Sequence, residues 1–330
     1  MRRLFEQFAA KESATDHAHV TGRRQRARCC AQHHSRSNRP ASAAMLRWHL
    51  MTGMPLRLRR YYDAANDRLV YTGRPATAET WDDWWHTGAL RRAVIAPRNW
   101  FVVRNTKKFL LPGARVLDGG SGRGDKVLAL RRAGFDAVGI DFAPETVRAV
   151  RAAVPEIPII CGDVRQLPFA GGSFDGYWSL GVIEHFFGGY GRILREIRRV
   201  VRPGGVLFLT FPSISPLNRF GIWRGAYPPF ADSNEQRAAF WQFAFPSATV
   251  ARVFARAGFE LLHEEGRGGM IGLREEMGGM GRALHYVETH QEFPPFRAFF
   301  VAGNLLLSPF MYHIRFLVLR RRGGSATGAS

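Results

Sequence analysis

From residue 116 onward, short apolar runs and helical patterns take turns along the chain. Val116-Leu117 ends in Asp118, and three alternate glycines, Gly120, Gly122 and Gly124, precede a helical face carried by Val127, Leu128 and Leu130. Gly134 closes that helix. Phe135–Ile140 is a second apolar run, closed by Asp141, and Pro144 with Glu145 opens a helix to Ala153. Ile157–Cys161, ending in Gly162-Asp163, reads as a third strand, and Phe174–Leu180 as a fourth, followed by Glu184-His185 and a helix over Tyr190–Val201. Pro203-Gly204-Gly205 turns into a fifth strand, Val206–Phe211. Ser247–Ala257 reads as a capped helix ended by Gly258, Phe259–Glu264 as a sixth strand, Glu275–Val287 as a helix and Ile314–Leu319 as the last strand.

Apolar runs of this kind, separated by helical periods and short loops, belong to strands buried on both faces. The alternation predicts an α/β fold: a doubly wound, mostly parallel, seven-stranded Rossmann-like sheet with helices on both faces and an antiparallel last strand. Ahead of it the texture differs. Arg68–Tyr71 and Thr80–Trp85 are dense in aromatics, Thr80 with Asp82 and Asp83 reads as a helix start, and Val94–Leu111 as a further helix. Trp81, Trp84 and Trp85 either pack a helix on the core or line a pocket, and burial is the favoured reading. Ser213–Pro246 is too long for a plain loop and rich in aromatics, Pro and Gly, so it covers something. The expected organisation is a disordered basic arm over 1–44 and a helical, aromatic cover over 45–111. The sheet domain then spans 112–322, with helical insertions at 213–246 and 267–311, and 323–330 form a flexible tail.

Composition changes this picture in two ways. The net charge of +20 is unevenly placed: residues 1–60 hold thirteen Lys and Arg against Glu6, Glu12 and Asp16. A basic run such as Arg23–Arg28 suits nucleic acid or anionic lipid, although a solvated tail, or a true start at Met45 or Met51, is favoured over either. The three cysteines, Cys29, Cys30 and Cys161, form no paired framework, which suits a reducing compartment. Cys29-Cys30 with His33-His34 lacks the paired spacing of a structural zinc site, and no metal is expected. Met1–Ser42 has no apolar core of a secretory signal, so the expected location is cytoplasmic, with peripheral membrane contact left open.

In α/β sheets, ligands bind beyond the carboxyl ends of the strands. Asp118, Asp141, Asp163 and the pair Glu184-His185 all fall at such ends. Asp141 lies 23 residues after Asp118, where a carboxylate can take both hydroxyls of a ribose. Asp163, behind Gly162, suits an exocyclic amine. One such Asp would be a cap or a solvated turn; three level with one another argue for a site.

Several runs together resemble the class I S-adenosylmethionine-dependent methyltransferases of the small-molecule, methyltransferase-11-like type. They are Val116–Gly124, Gly139-Ile140-Asp141, Gly162–Phe169, Ser173-Phe174-Asp175, Ser179–Phe186 and Arg202–Gly205. The resemblance spans Tyr61 to Arg320. It departs from the family at Gly119-Gly120, where Gly-Cys or another small pair is common. It implies S-adenosyl-L-methionine as cofactor, with Gly120, Gly122 and Gly124 under its methionine end, Asp141 on the ribose and Asp163 near the adenine. Asp118, Ser121, Phe142, Val164 and Ser179 complete the implied contact set. His185 sits where an acceptor approaches and is the candidate base or orienting group, with Glu184 as its partner.

The implied reaction moves a methyl group to an O, N or C atom of a small, apolar or lipid-like acceptor. A nicotinamide oxidoreductase would want G-x-G-x-x-G and no Gly-Asp after the third strand. A nucleic-acid methyltransferase using the basic arm is the nearer rival, but Ser179–Val182 stands where an Asn/Asp-Pro-Pro-aromatic signature would, and Cys161 closes a strand. A non-catalytic, membrane-attached protein would rest on Ala298–Ile314, too short and too interrupted by Asn304 and Pro309 for a span and better read as a helix leading into the last strand.

Overall fold

The computed structural model describes residues 58–85, 94, 99–278 and 281–323. The basic arm, the Cys29–His34 cluster and residues 324–330 of the tail lie outside the described residues.

Two antiparallel strands come first, β1 (Arg59–Asp63) and β2 (Arg68–Thr72), then helices α1 (Ala78–Trp85) and α2 (Trp100–Phe109). The sheet domain follows as β3 (Arg115–Gly119), α3 (Asp125–Arg132), β4 (Asp136–Asp141), α4 (Pro144–Ala153), β5 (Ile159–Cys161) and β6 (Phe174–Leu180). A single helical turn over Ile183–His185 leads to α5 (Gly191–Val200) and β7 (Val201–Pro212). Beyond these lie α6 (Pro216–Trp223), α7 (Asn234–Ala238), β8 (Phe240–Ala244), α8 (Ser247–Arg256) and β9 (Phe259–Arg267). Helices α9 (Gly269–Glu276), α10 (Gly281–Thr289) and α11 (Pro294–Met311) precede β10 (Ile314–Arg321).

The main sheet has seven strands in the order β5-β4-β3-β6-β7-β10-β9. Pairings from β5 to β7 are parallel, while β10 runs antiparallel to both β7 and β9. The expected fold class is the one observed. The chain starts at β3 in the middle and winds outward first one way and then the other, which leaves the switch point between β3 and β6.

The central strands are apolar on both sides because each side meets helices. Leu117, Ile140, Tyr177, Leu207 and Leu209 pack with Ile193 and Ile197 of α5 and Val250 and Phe254 of α8. Val116, Trp178, Phe208, Phe316 and Val318 face the opposite core with Val127 and Leu130 of α3 and Val147 and Val150 of α4. Trp178 stacks on Phe208 (centroids 4.3 Å) and on Phe316 (5.8 Å), its indole N–H donating to the Thr106 hydroxyl at 2.9 Å.

Several sequence expectations need correction. The cover over 45–111 is not simply helical: β1 and β2 pair there, and β8, from the presumed helical insertion at 213–246, joins β2 to make a second, three-stranded sheet. Helix α1 begins at Ala78, ahead of Thr80, and α2 is shorter than Val94–Leu111. The helix expected over Glu275–Val287 is two, α9 and α10, separated near Gly278 at φ +53°. Pro203-Gly204-Gly205 lies inside β7 as an irregularity against β6: Phe174 pairs with Val201 and Gly176 with Val206. No helix among the described residues is long and apolar enough to cross a membrane.

Candidate active site

The three strand-end aspartates form a staircase and are not level. Asp118 of β3 pairs with Gly139, two residues before Asp141 on β4. Asp141 in turn pairs with Cys161, two residues before Asp163. At about 3.3 Å per residue, each carboxylate stands roughly 7 Å further along its strand than its neighbour. Such a stagger fits an extended ligand lying obliquely across the sheet edge.

The glycine turn after β3 is pinned from below. Gly120 and Ser121 both donate their backbone N–H to the Ile140 carbonyl, at 2.9 and 3.0 Å. Gly120 (φ +81°) and Gly122 (φ +51°) occupy the left-handed region that glycine enters without strain. A Cβ on Gly120 would stand 2.5 Å from a Val182 methyl, and one on Gly122 would stand 2.9 Å from the Trp85 ring. Gly124 caps α3. Gly119, just ahead of the turn, is glycine for a packing reason: a Cβ there would meet the Tyr177 hydroxyl at 2.0 Å, and Tyr177 is fully buried.

Asp141 is buried and held. Its Oδ2 accepts from the Gly122 N–H at 2.7 Å and its Oδ1 from the Ala143 N–H at 3.0 Å, so one carboxylate ties the glycine turn to the start of α4. Burial raises its pKa, and those two backbone donors oppose the rise. Asp118 is the contrast. It is 1% exposed, and neither oxygen has a hydrogen-bond partner. Burial pushes its carboxyl up to about 7, with Lys126 acting the other way. The hydroxyls of Ser121 and Ser179 and Oε2 of Glu184 are likewise buried without a partner. Buried polar groups are nearly always paired in folded proteins. Four unpaired side chains at the carboxyl ends of β3 and β6 and the turns that follow them therefore mark a surface built for a ligand. An unpaired carboxylate beside a glycine cradle fits the cationic methionine end of S-adenosylmethionine, and Asp141 has lone pairs left for ribose hydroxyls.

The other implied contacts are less uniform. Asp163 follows β5 as expected, but Arg165 grips both its oxygens at 2.7–3.0 Å and its side chain is 39% exposed. An adenine amine there would have to share an occupied carboxylate. Val164 is buried and Phe142 largely exposed.

Glu184 is shut away from solvent and His185 is mostly so, their side chains 2% and 11% exposed. The Nδ1 of His185 lies 2.8 Å from the Trp241 carbonyl. A carbonyl only accepts, so Nδ1 carries the hydrogen and Nε2 keeps its lone pair. Burial pushes the imidazole down to about 4 and the Glu184 carboxyl up to about 8. At neutral pH His185 is neutral and most Glu184 is protonated, so the 3.9 Å separation between Nε2 and Oε1 is no ion pair. The imidazole is walled by Trp81 (4.9 Å) and Trp241 (4.7 Å), both edge-to-face.

Those tryptophans bring in residues that the sequence reading left outside the site. Helix α1 packs across the sheet edge. Its Trp85 lies against Gly122 and its Trp81 against His185, and Trp81 stacks at 6.3 Å on Trp85. Asp82 fastens the helix down: Oδ1 accepts from the Thr146 N–H (2.7 Å) and hydroxyl (2.8 Å), capping α4, which has no side-chain cap of its own. Packing was the favoured reading for the Trp cluster, and the structure packs it against Gly122 and His185 at the sheet edge. Asp82 one residue after Trp81 was the available signal.

Residues 117–209 match the family model described as "Methyltransferase domain". A Beutenbergia cavernae protein named demethylmenaquinone methyltransferase is 35% identical over 119 residues, 35% of this chain and 48% of that one. A Mycobacterium leprae protein named phthiotriol/phenolphthiotriol dimycocerosates methyltransferase is 31% identical over 138 residues, 41% of this chain and 49% of its own. The chain thus spans about half the length of the curated relatives it matches. The strand order, the glycine cradle and the unpaired Asp118 all agree with the match, and over residues 117–209 the chain is a methyltransferase domain of the class I, S-adenosylmethionine-dependent kind.

Proposed function

We propose that this protein transfers a methyl group from S-adenosylmethionine to an O, N or C atom of a small, apolar or lipid-like acceptor. The observation that carries the proposal is the cluster of unpaired buried groups, Asp118, Ser121, Ser179 and Glu184, beside an imidazole enclosed by tryptophan. When bound, the cofactor supplies an electrophilic methyl group on a sulfonium. The chain's own residues do the rest. Asp118 holds the cationic end, the glycine turn lets backbone approach, and Asp141 accepts from ribose hydroxyls. Apolar walls exclude water and favour a flat or greasy acceptor over a hydrated one. The named activities of the two relatives, on a menaquinone precursor and on phthiotriol lipids, support that acceptor class.

Within the pair, His185 accepts a hydrogen bond at Nε2 and aims the acceptor. Its low basicity makes it a poor final home for a proton. Glu184, titrating near 8, is the better one, so turnover on a hydroxyl or amine acceptor should rise with pH toward about 8. The direct test is calorimetry with S-adenosylmethionine and with NAD, followed by a labelled-methyl screen over quinol, lipid and glycan extracts. Tighter binding of NAD would sink the cofactor assignment, and label appearing only in glycans would sink the acceptor class.

A further inference from the structure

Helix α11 is inside out. Its inward side carries the polar residues: Asn304 Oδ1 accepts from the Met270 N–H at 3.2 Å and Ser308 Oγ from the Gly269 N–H at 3.1 Å, together satisfying the first turn of α9. The fit is close, since a Cβ on Gly303 would reach the Met270 sulfur at 2.3 Å. The outward side is apolar over four turns: Ala298, Val301, Ala302, Leu305, Leu306, Pro309 and Phe310 are all exposed, with Phe299 beside them. Leu305 and Leu306 are 76% and 73% exposed. Arg297 is the one charged residue in the eighteen of the helix. A surface helix in water presents the opposite polarity, and a contiguous apolar patch of this kind marks a contact surface.

The patch is continued by α6, which packs on α11. Phe220 and Trp223 are exposed there and stacked at 5.6 Å, with the Arg224 guanidinium 4.8 Å from the Phe220 ring centre. Exposed aromatics next to arginine are the side chains that settle at a lipid–water boundary. Charge separates the two occupants that could cover the face. A second copy would bring another +20 against the first, whereas an anionic bilayer attracts the chain. With no helix among the described residues able to span, the mode is shallow insertion.

We propose that α11, with Phe220 and Trp223 of α6, docks this protein on the surface of an anionic lipid bilayer, lying in the interface with its Leu305–Leu306 face among the acyl chains. The inference does not depend on the acceptor, and no residue it uses lies in the site described above. The test is co-sedimentation of the full chain with mixed phosphatidylglycerol–phosphatidylcholine vesicles, using L305K/L306K and L305E/L306E. Both leucines are exposed, so both variants should keep the wild-type melting temperature. Both should lose at least about tenfold in partition coefficient, and wild-type backbone amides of 298–310 should exchange more slowly on vesicles. If L305K/L306K binds as the wild type does, charge alone is responsible and the proposal fails. It fails equally if sedimentation equilibrium shows a dimer that both variants dissolve while vesicle binding is unchanged.

Discussion

Asp118 should make cofactor binding a proton-linked event. Free, its carboxyl is pushed by burial from 3.8 to about 7. A cation settling on it should return it to the ordinary carboxylate range, near 4. Binding then expels the proton that the free protein holds, so affinity falls as pH drops below 7 and levels off above it. With those two values, the Kd for S-adenosylhomocysteine should tighten roughly fifteenfold between pH 5.5 and 7. Across this window the ligand's own ammonium stays charged. Calorimetry in two buffers of different ionisation enthalpy reads the same effect directly: about 0.9 proton released per binding at pH 6 and about 0.5 at pH 7. Asp118→Asn keeps the shape and removes the titration. It should flatten the pH dependence and cost about 1–3 kcal/mol of affinity at pH 8, the worth of a charge-assisted contact. An Asn variant with the wild-type slope would show that the linked proton sits elsewhere and that the cationic end of the ligand does not lie on Asp118.

Glu184 offers a stability test. Its folded pKa near 8 lies above the ordinary 4.5 of a glutamate, so wild-type stability should drain away as pH rises from about 4.5 to 8, with a ceiling on the order of 5 kcal/mol. Urea melts should show Glu184→Gln matching the wild type near pH 5 and exceeding it at pH 9; parallel curves would refute the burial argument. His185→Ala should lower turnover by about a hundredfold with cofactor affinity unmoved, and a rate within threefold of wild type would remove His185 from the mechanism. Asp82→Ala removes the external cap of α4 and should cost about 0.5–2 kcal/mol while weakening cofactor binding, because α1 is no longer fastened over Gly122. An unchanged cofactor Kd would show that α1 is only packing.

The main sheet was legible because its signals are local. Each strand from β3 to β7 is an apolar run closed by a turn residue, and Pro144 and Gly134 mark helix ends that the structure keeps. The small sheet was not legible. Leu69 of β2 pairs with Ala244 of β8, far away in the sequence, and β1, β2 and β8 are each only five residues long. Nothing periodic in Tyr61–Thr72 distinguishes a strand pair from an aromatic cover. The site was half legible for the same reason. Asp118 and the glycines stand in one continuous motif, and Asp141 closes the next apolar run. The placement of Trp81 and Trp241 around His185 depends on α1 and β8 being folded over the sheet edge. Asp163 was placed correctly on the strand end, but its capture by Arg165, two residues on, is a rotamer choice that spacing does not encode.

The distribution of unpaired groups separates this edge from the rest of the interior. Elsewhere among the described residues, buried polar side chains are answered except at Arg315, whose Nε stands 3.6 Å from Glu264 Oε1. Thr106 donates to the Val102 carbonyl and accepts from Trp178, His313 sits 3.2 Å from Glu275, and Tyr227 and Asn218 both reach Glu276. At the carboxyl ends of β3 and β6, Asp118, Ser121, Ser179 and Glu184 are not answered. Each unpaired buried group costs about 1–3 kcal/mol, and four together reach a sizeable share of the 5–15 kcal/mol that holds a typical domain folded. The same sheet satisfies Asp141 on the neighbouring strand with two backbone donors, Gly122 and Ala143, so the fold is able to pair a carboxylate here. A ligand that brings a cation to Asp118 and hydroxyls to the serines removes that cost at the place where it accumulates. It should therefore raise stability by more than its contact area alone would suggest.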